Sequence, residues 1–199
     1  PKHFAVHSGP EPNRHREDIH VSAHDLEDTY LPAFRATVME GHAGSVMCAY
    51  NAINGAPACA NDDLLVRHLR QAWRFGGYVV SDCDAVGNIY RPNEHHYRAT
   101  PEEGVAAAFR YEGINVWAEL DRMKLAYYST RRDRRAGWMQ LELGAAGAKV
   151  QLDSRIAGFD RVVRRAAEAA AARGITLNEA TAANLESLGI RLPELGWER

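Results

Sequence analysis

Residues 1–118 alternate short, continuous apolar runs with stretches of helical spacing. Lys2–Val6, Ser45–Tyr50 and Tyr78–Val80 are the apolar runs. The last is apolar on both faces, as suits a parallel strand covered by helices. Between the runs, Asp25–Met39 reads as a helix with Ser22 as N-cap, Pro32 as a kink or second start, and Gly41 as the stop. Asn61 or Asp62 caps the next helix, whose Leu64, Leu65, His68, Leu69, Ala72 and Trp73 share one face and which Gly76 closes. Thr100-Pro101-Glu102-Glu103 joins an N-cap, a proline at the first helical position and a Glu at the third, opening a helix that runs to Arg110. Ile114–Leu120 fits a fourth strand. The order βαβαβαβ implies a parallel sheet.

The texture changes after residue 120. Lys124–Tyr128 and Trp138–Leu143 flank the basic turn Arg131-Arg132-Asp133-Arg134-Arg135 and fit a hairpin, with Lys149–Leu152 as a third strand. Phe159, Val162, Val163, Ala166, Ala167 and Ala170 form a helical stripe that ends at Gly174. Thr176 to Glu179 has the spacing of a capping box for a last helix through Leu188, again followed by glycine. The expected fold is therefore α/β. Residues 1–120 form a partial TIM-type (β/α) barrel, since four strand–helix units make about half of an eight-stranded one. Residues 121–199 form a hairpin and C-terminal helices.

Composition narrows the function classes. The 199 residues are 46% hydrophobic and 25% charged, with a net charge of −2. That balance argues against a nucleic-acid partner, which calls for concentrated positive charge. No apolar run approaches the roughly 20 residues needed to span a bilayer, so no membrane association is expected. The chain opens on Pro1 with no initiator Met and no signal-like stretch, the pattern of an excised or processed segment. Cys48, Cys59 and Cys83 lack zinc spacing, and the nine His residues include no convincing ligand set, so neither a metal nor a cofactor is expected. Cys48 and Cys59 flank a Gly/Pro-containing loop and are equally compatible with a disulfide and with free thiols.

In parallel α/β folds reactive groups sit just past the C-terminal ends of the strands. His7 follows the first strand, Tyr50 and Asn51 the second, and Ser81, Asp82 and Asp84 the third. Lys2 and His3 lie within the first. An Asp directly after an apolar strand serves either chemistry or the capping of a turn. Position alone does not choose between these.

Three segments carry a resemblance. Lys2-His3-Phe4-Ala5-Val6-His7-Ser8-Gly9-Pro10-Glu11, Asp25-Leu26-Glu27-Asp28-Thr29-Tyr30-Leu31-Pro32-Ala33-Phe34, and Ser45–Gly55 leading into Gly77-Tyr78-Val79-Val80-Ser81-Asp82-Cys83-Asp84-Ala85 occur in that order. Together they resemble the catalytic barrel of family 3 glycoside hydrolases, in the β-xylosidase/β-glucosidase-like form, over residues 1 to about 108. The resemblance implies hydrolysis of terminal β-xylosidic or β-glucosidic bonds by a retaining mechanism, with a small oligosaccharide or aryl glycoside as substrate. Asp82 would be the nucleophile. Lys2, His3, Arg14 and Tyr50 would contact substrate, and Tyr50 would also orient the nucleophile. Ser-Asp-Cys, where many members have Ser-Asp-Trp, points to the xylosidase and arabinosidase branch. The resemblance also favours a periplasmic or secreted protein.

Departures from the family matter as much. Arg14-His15 is followed by Arg-Glu-Asp-Ile-His where the family shows a Phe-Asp pair, and the Gly-Asp-Leu-type last strand is missing. Most of the family takes its general acid from a second α/β domain; its N-acetylglucosaminidases use a His on the loop where His15 falls, close in sequence to Asp18. His15 is thus the proton-donor candidate. The alternative is a non-catalytic sugar-binding remnant of such an enzyme. A half-barrel has two open sheet edges, which proteins rarely leave bare, so a homodimer, or coverage of the edges by residues 120–199, is expected.

Overall fold

Phe4 organises the first part of the chain. It is fully buried and packs edge-on against Phe34 (ring centroids 5.1 Å apart) and against Trp73 (5.8 Å). The computed structural model describes residues 1–110, 115–129, 137–146 and 148–191, which fall into two compact units, Pro1–Gly113 and Ile114–Arg199.

In the first unit, β1 (Asp18–Ile19) is followed by α1 (Ala23–Asp25), a π-helical turn over Leu26–Tyr30 and α2 (Pro32–Met39). Ser22 caps the entry, accepting from the Asp25 N–H at 3.0 Å. Pro32, which has no N–H to give, marks the second start. Next come β2 (Ser45–Cys48), β3 (Ala52–Ile53) and β4 (Ala56–Pro57). Asn54 and Gly55, both at positive φ (51° and 90°), turn β3 back onto β4 in a two-residue hairpin. Asn61 rather than Asp62 caps the π-helix Asp63–Ala72, its Oδ1 accepting from the N–H groups of Asp63 and Leu64. β5 (Tyr78–Ser81), α3 (Ala85–Asn88) and α4 (Pro101–Phe109) complete the unit. Thr100 caps α4 as its sequence predicts, while Glu103 accepts from the Ala99 N–H.

β2 and β5 pair in parallel, Cys48 opposite Ser81. Phe4 adds one parallel bridge on the other side of Cys48. The expected strand Lys2–Val6 therefore shrinks to that bridge, and Val6, at φ 57°, has left the extended region. The expected fourth strand is also absent, since Val116–Glu119 is a short helix, α5, capped by Asn115. Two glycines are not the stops they resemble. The left-handed residues are His42 and Arg74, next to or near Gly41 and Gly76.

The second unit is an antiparallel meander, β6 (Leu120–Tyr128), β7 (Trp138–Ala145) and β8 (Ala148–Asp153), followed by α6 (Phe159–Ala172) and α7 (Glu179–Ser187). Leu125, Leu141, Leu143 and Leu152 on the sheet and Phe159, Val163, Ala166 and Ala170 on α6 are buried. Asn178 caps α7, so the box predicted at Thr176 is displaced by two residues. Thr181 and Asn184 of α7 bond the free N–H and C=O of Leu125 at 3.1 and 2.9 Å. A helix thereby covers part of an edge strand. The basic turn 131–135 lies outside the described residues.

Candidate active site

Three chain segments end at the same side of the parallel sheet. Cys48 sits between Phe4 and Ser81, and its carbonyl accepts the N–H of Asp82 at 3.1 Å. The residues that follow, Ala5–His7, Ala49–Asn51 and Asp82–Asp84, therefore converge at the C-terminal end of the strands. Asn51, itself buried, ties two of them together by donating to the Ala5 carbonyl at 3.3 Å. The Cys48–Cys59 disulfide anchors β2 to the 3-10 turn Ala58–Ala60 beneath.

Asp82 is nearly buried, with 12% of its side chain exposed, and is surrounded by donors. Oδ2 lies 3.1 Å from Nε2 of His3, Oδ1 accepts from the Cys83 N–H at 2.7 Å, and Tyr50 adds a side-chain hydrogen bond. Donors of this kind fix where the carboxylate's lone pairs point. The turn is completed by Asp84, left-handed at φ 66° and held by Arg91 at 2.6 Å. Burial first, then the charge and hydrogen bond of Asp82, push the Tyr50 phenol well above its ordinary pKa. Burial likewise lowers His3, against the pull of Asp82.

Arg14 and His15 reach the same place from the loop after the first 3-10 turn (Glu11–Asn13). The Arg14 guanidinium lies 4.8 Å above the Tyr50 ring, and the His15 ring is 4.3 Å from it. Arg14 Nε donates to His15 Nε2 at 3.1 Å, and His15 Nδ1 faces the Asn88 amide, 3.1 Å from Nδ2 and 3.4 Å from Oδ1. Asp18, near His15 in sequence, instead accepts from the Gly55 N–H and faces His20 at 3.6 Å. The structure thus gathers His3, Arg14, His15, Tyr50 and Asp82. Lys2 is exposed and makes no hydrogen bond or ion pair among the described residues.

Asn88 and His95 were not legible as members of this cluster, yet both bond the Tyr50 carbonyl, at 3.3 and 2.7 Å. Nothing in the sequence pattern marks a buried Asn in a short helix. His95 stood out only as half of a His pair. A cavity of about 330 Å3 lined by Val38, Met39, Trp73 and Phe75 lies at the other end of the strands, next to Ala43 and Gly77, and takes no part. Among the described residues no group of three or more His, Cys, Asp and Glu is arranged to hold a metal, and no helix is long and apolar enough to cross a membrane.

Known proteins match about half of the chain, and in one case 74% of it. Beta-xylosidase/alpha-L-arabinofuranosidase 1 of Medicago sativa subsp. varia is 47% identical over 93 residues, which are 47% of this chain and 12% of that protein. Probable exo-1,4-beta-xylosidase bxlB of Aspergillus fumigatus is 34% identical over 184 residues, 74% of this chain and 24% of that protein. Among solved structures, a GH3 exo-beta-xylosidase (XlnD) in complex with a xylobiose aziridine activity-based probe superposes with TM-score 0.53 at 34% identity, over 55% of this chain and 15% of that one. The β-glucosidase EmGH1 of Erythrobacter marinus gives TM-score 0.51 at 33% identity, over 55% and 14%. The chain thus spans a quarter or less of the length of these relatives. The family model for the glycosyl hydrolase family 3 N-terminal domain matches residues 1–116, and the chain belongs to that family.

Proposed function

We propose that this chain carries the nucleophile side of a retaining β-glycosidase active site, acting on terminal β-xylosidic or β-glucosidic bonds. The observation behind the reading is Asp82, a carboxylate at the end of a parallel strand with donors from His3, Tyr50 and the Cys83 main chain. In this reading one Asp82 oxygen attacks the anomeric carbon and expels the leaving-group oxygen, forming a glycosyl ester that water then opens. The Tyr50 and His3 donors hold the attacking oxygen in line, and Lys2, His3 and Arg14 meet sugar hydroxyls. His15 is the group we assign to proton transfer. The xylosidase relatives, one of them solved with a xylobiose-derived probe, favour β-xylosides over β-glucosides.

The parallel trio of Phe4, β2 and β5 is, in this reading, an arc of a (β/α) barrel over residues 1–120, with 121–199 a separate region. The bare edges of that arc favour a homodimer. The test uses an aryl 2-deoxy-2-fluoro-β-xyloside with an activated leaving group, which needs no general acid. Mass spectrometry should find one fluorosugar ester on Asp82, and none in Asp82→Ala. Labelling elsewhere, or equal labelling of the variant, would sink the assignment.

One observation favours the rival reading, a sugar-binding remnant without turnover. Both ring nitrogens of His15 are engaged, by Arg14 and by the Asn88 amide, leaving neither open to a leaving-group oxygen. Xylobiose binding by calorimetry with neither hydrolysis nor labelling would decide for it.

A further inference from the structure

Tyr50 is held at both ends, and the residues at its main-chain end carry no role in the chemistry above. Its carbonyl lies past the last residue of β2, where the strand ladder has stopped. Nε2 of His95 stands 2.7 Å from that oxygen, and Nδ2 of Asn88 stands 3.3 Å from it. A carbonyl oxygen can only accept, so His95 must carry its proton on Nε2. Burial lowers the His95 pKa, against the pull of the Tyr50 hydrogen bond and of Glu94 and Asp18, while the nearby His15 lowers it too. A neutral ring with Nε2–H follows at neutral pH.

The segment that delivers His95 is itself fixed. The His95 N–H donates to the Asn88 carbonyl at 3.1 Å, and the Arg98 N–H to that of Ile89 at 3.0 Å. Arg91 spans Asp84 at 2.6 Å and Glu94 at 3.1 Å, tying the same segment to the turn that follows Asp82. The chain after α3 thus folds back on itself and places an imidazole against a residue 45 positions earlier.

We propose that His95 is a positioning residue: by gripping the Tyr50 carbonyl it sets where the Tyr50 hydroxyl stands relative to Asp82. Asn88 assists over the longer distance, and because its amide also faces His15, it links the Tyr50 main chain to the imidazole beside the Tyr50 ring. Without His95, the Tyr50 carbonyl keeps only that longer bond, and the ring is held less firmly against Arg14 and His15. The catalytic consequence rests on the glycosidase reading; the grip on Tyr50 does not.

The test has two arms. Nitrogen NMR of the unaltered chain should report the His95 proton on Nε2 near neutral pH, and a proton on Nδ1 would overturn the proposal without any variant. In the second arm the rate of Asp82 labelling by the activated fluoroxyloside is compared across variants. His95→Ala should slow it about five- to tenfold, the loss of one well-placed hydrogen bond. His95→Gln, which keeps an N–H donor, should restore most of the rate. In a Tyr50→Phe background His95→Ala should add little, because the hydroxyl it positions is gone. An unchanged effect in that background would overturn the proposal, since a merely structural role would persist there. If His95→Ala does not fold, His95→Leu fills the space without a donor and takes its place. A parent chain that never labels would refute the nucleophile assignment alone, and the tautomer together with the Tyr50 ring shifts of His95→Ala against His95→Gln would still decide the grip.

Discussion

His3 Nε2 and Asp82 Oδ2 lie 3.1 Å apart, so the imidazole that precedes Phe4 touches the carboxylate that ends β5. Burial is the largest influence on His3 and lowers its pKa; Asp82 pulls it up, and His7, Lys2 and Arg14 push it further down. His95 is lowered as well, again chiefly by burial. An unfolded histidine takes up its proton near 6.5, while these two accept theirs at lower pH in the fold. Between the two values the unfolded chain binds more protons, so stability rises with pH there. The fold should therefore be at full strength above about 6.5 and weaken as pH falls toward the folded values. Thermal melts across the histidine range check this. His3→Gln and His95→Gln should each flatten the slope, and melting that does not change until the carboxylate range would contradict it.

The second unit should respond at lower pH. Glu142 is partly desolvated, yet hydrogen bonds from Lys149 and Gln151 and the charges of Lys149 and Arg122 hold its carboxyl below the ordinary range. Asp153, also partly desolvated, is held down by Arg155. Stability from depressed carboxylates is present above their unfolded pKa and lost as pH falls through the folded one. Residue-level NMR during an acid titration should show signals of Pro1–Gly113 weakening before those of Leu120–Asp153. The reverse order would refute the assignment of these groups.

Tyr50→Phe isolates the hydroxyl. The ring keeps its place against His15 and Arg14, while Asp82 loses one donor. Labelling of Asp82 should slow about five- to tenfold, with the melting temperature changed by no more than a few degrees. An equal rate would mean that the hydroxyl does not orient the carboxylate.

Strand ends and helix starts were legible because local chemistry fixes them. Thr100 and Ser22 cap as their spacing predicts, and Tyr78–Ser81 is a strand as its apolar run implies, although only Val79 is buried and Tyr78 is 60% exposed. Lys2–Val6 was misread because apolar residues there serve a different purpose. Phe4 alone enters the ladder, and its neighbours bend to bring His3 to Asp82. Val116–Glu119 has strand-like residues, but Asn115 caps it as a helix by accepting from the Ala118 N–H. The members of the site contributed by α3 and the loop after it, Asn88 and His95, meet Tyr50 only through long-range folding. No local pattern announces such a pair.

Cys48 and Cys59 form a disulfide across a separation of 11 residues, leaving Cys83 as a free, exposed thiol. Closing a loop of that size lowers the entropy of the unfolded chain and stabilises the fold by about 3 kcal/mol. A thiol reagent should find one reactive group in the native oxidised chain and three after denaturation and reduction. Cys48→Ala with Cys59→Ala should lower stability by about 2–4 kcal/mol in urea unfolding. Three reactive thiols in the untreated chain would refute the pairing.

β5 poses the last question. Tyr78 N–H bonds the Gly44 carbonyl and Asp82 N–H that of Cys48. The N–H groups of Val79 and Ser81, pointing the other way along a period of two, face the side where, among the described residues, no strand pairs with β5. An edge of this kind is a template for another strand. If two copies pair along it, light scattering should give twice the monomer mass, falling on dilution. Ser81→Pro removes one outward donor while sparing the ladder to β2, and should shift the equilibrium toward monomer. A chain that stays monomeric at every concentration, with Ser81→Pro indistinguishable from it, would show that the edge is satisfied by some other means.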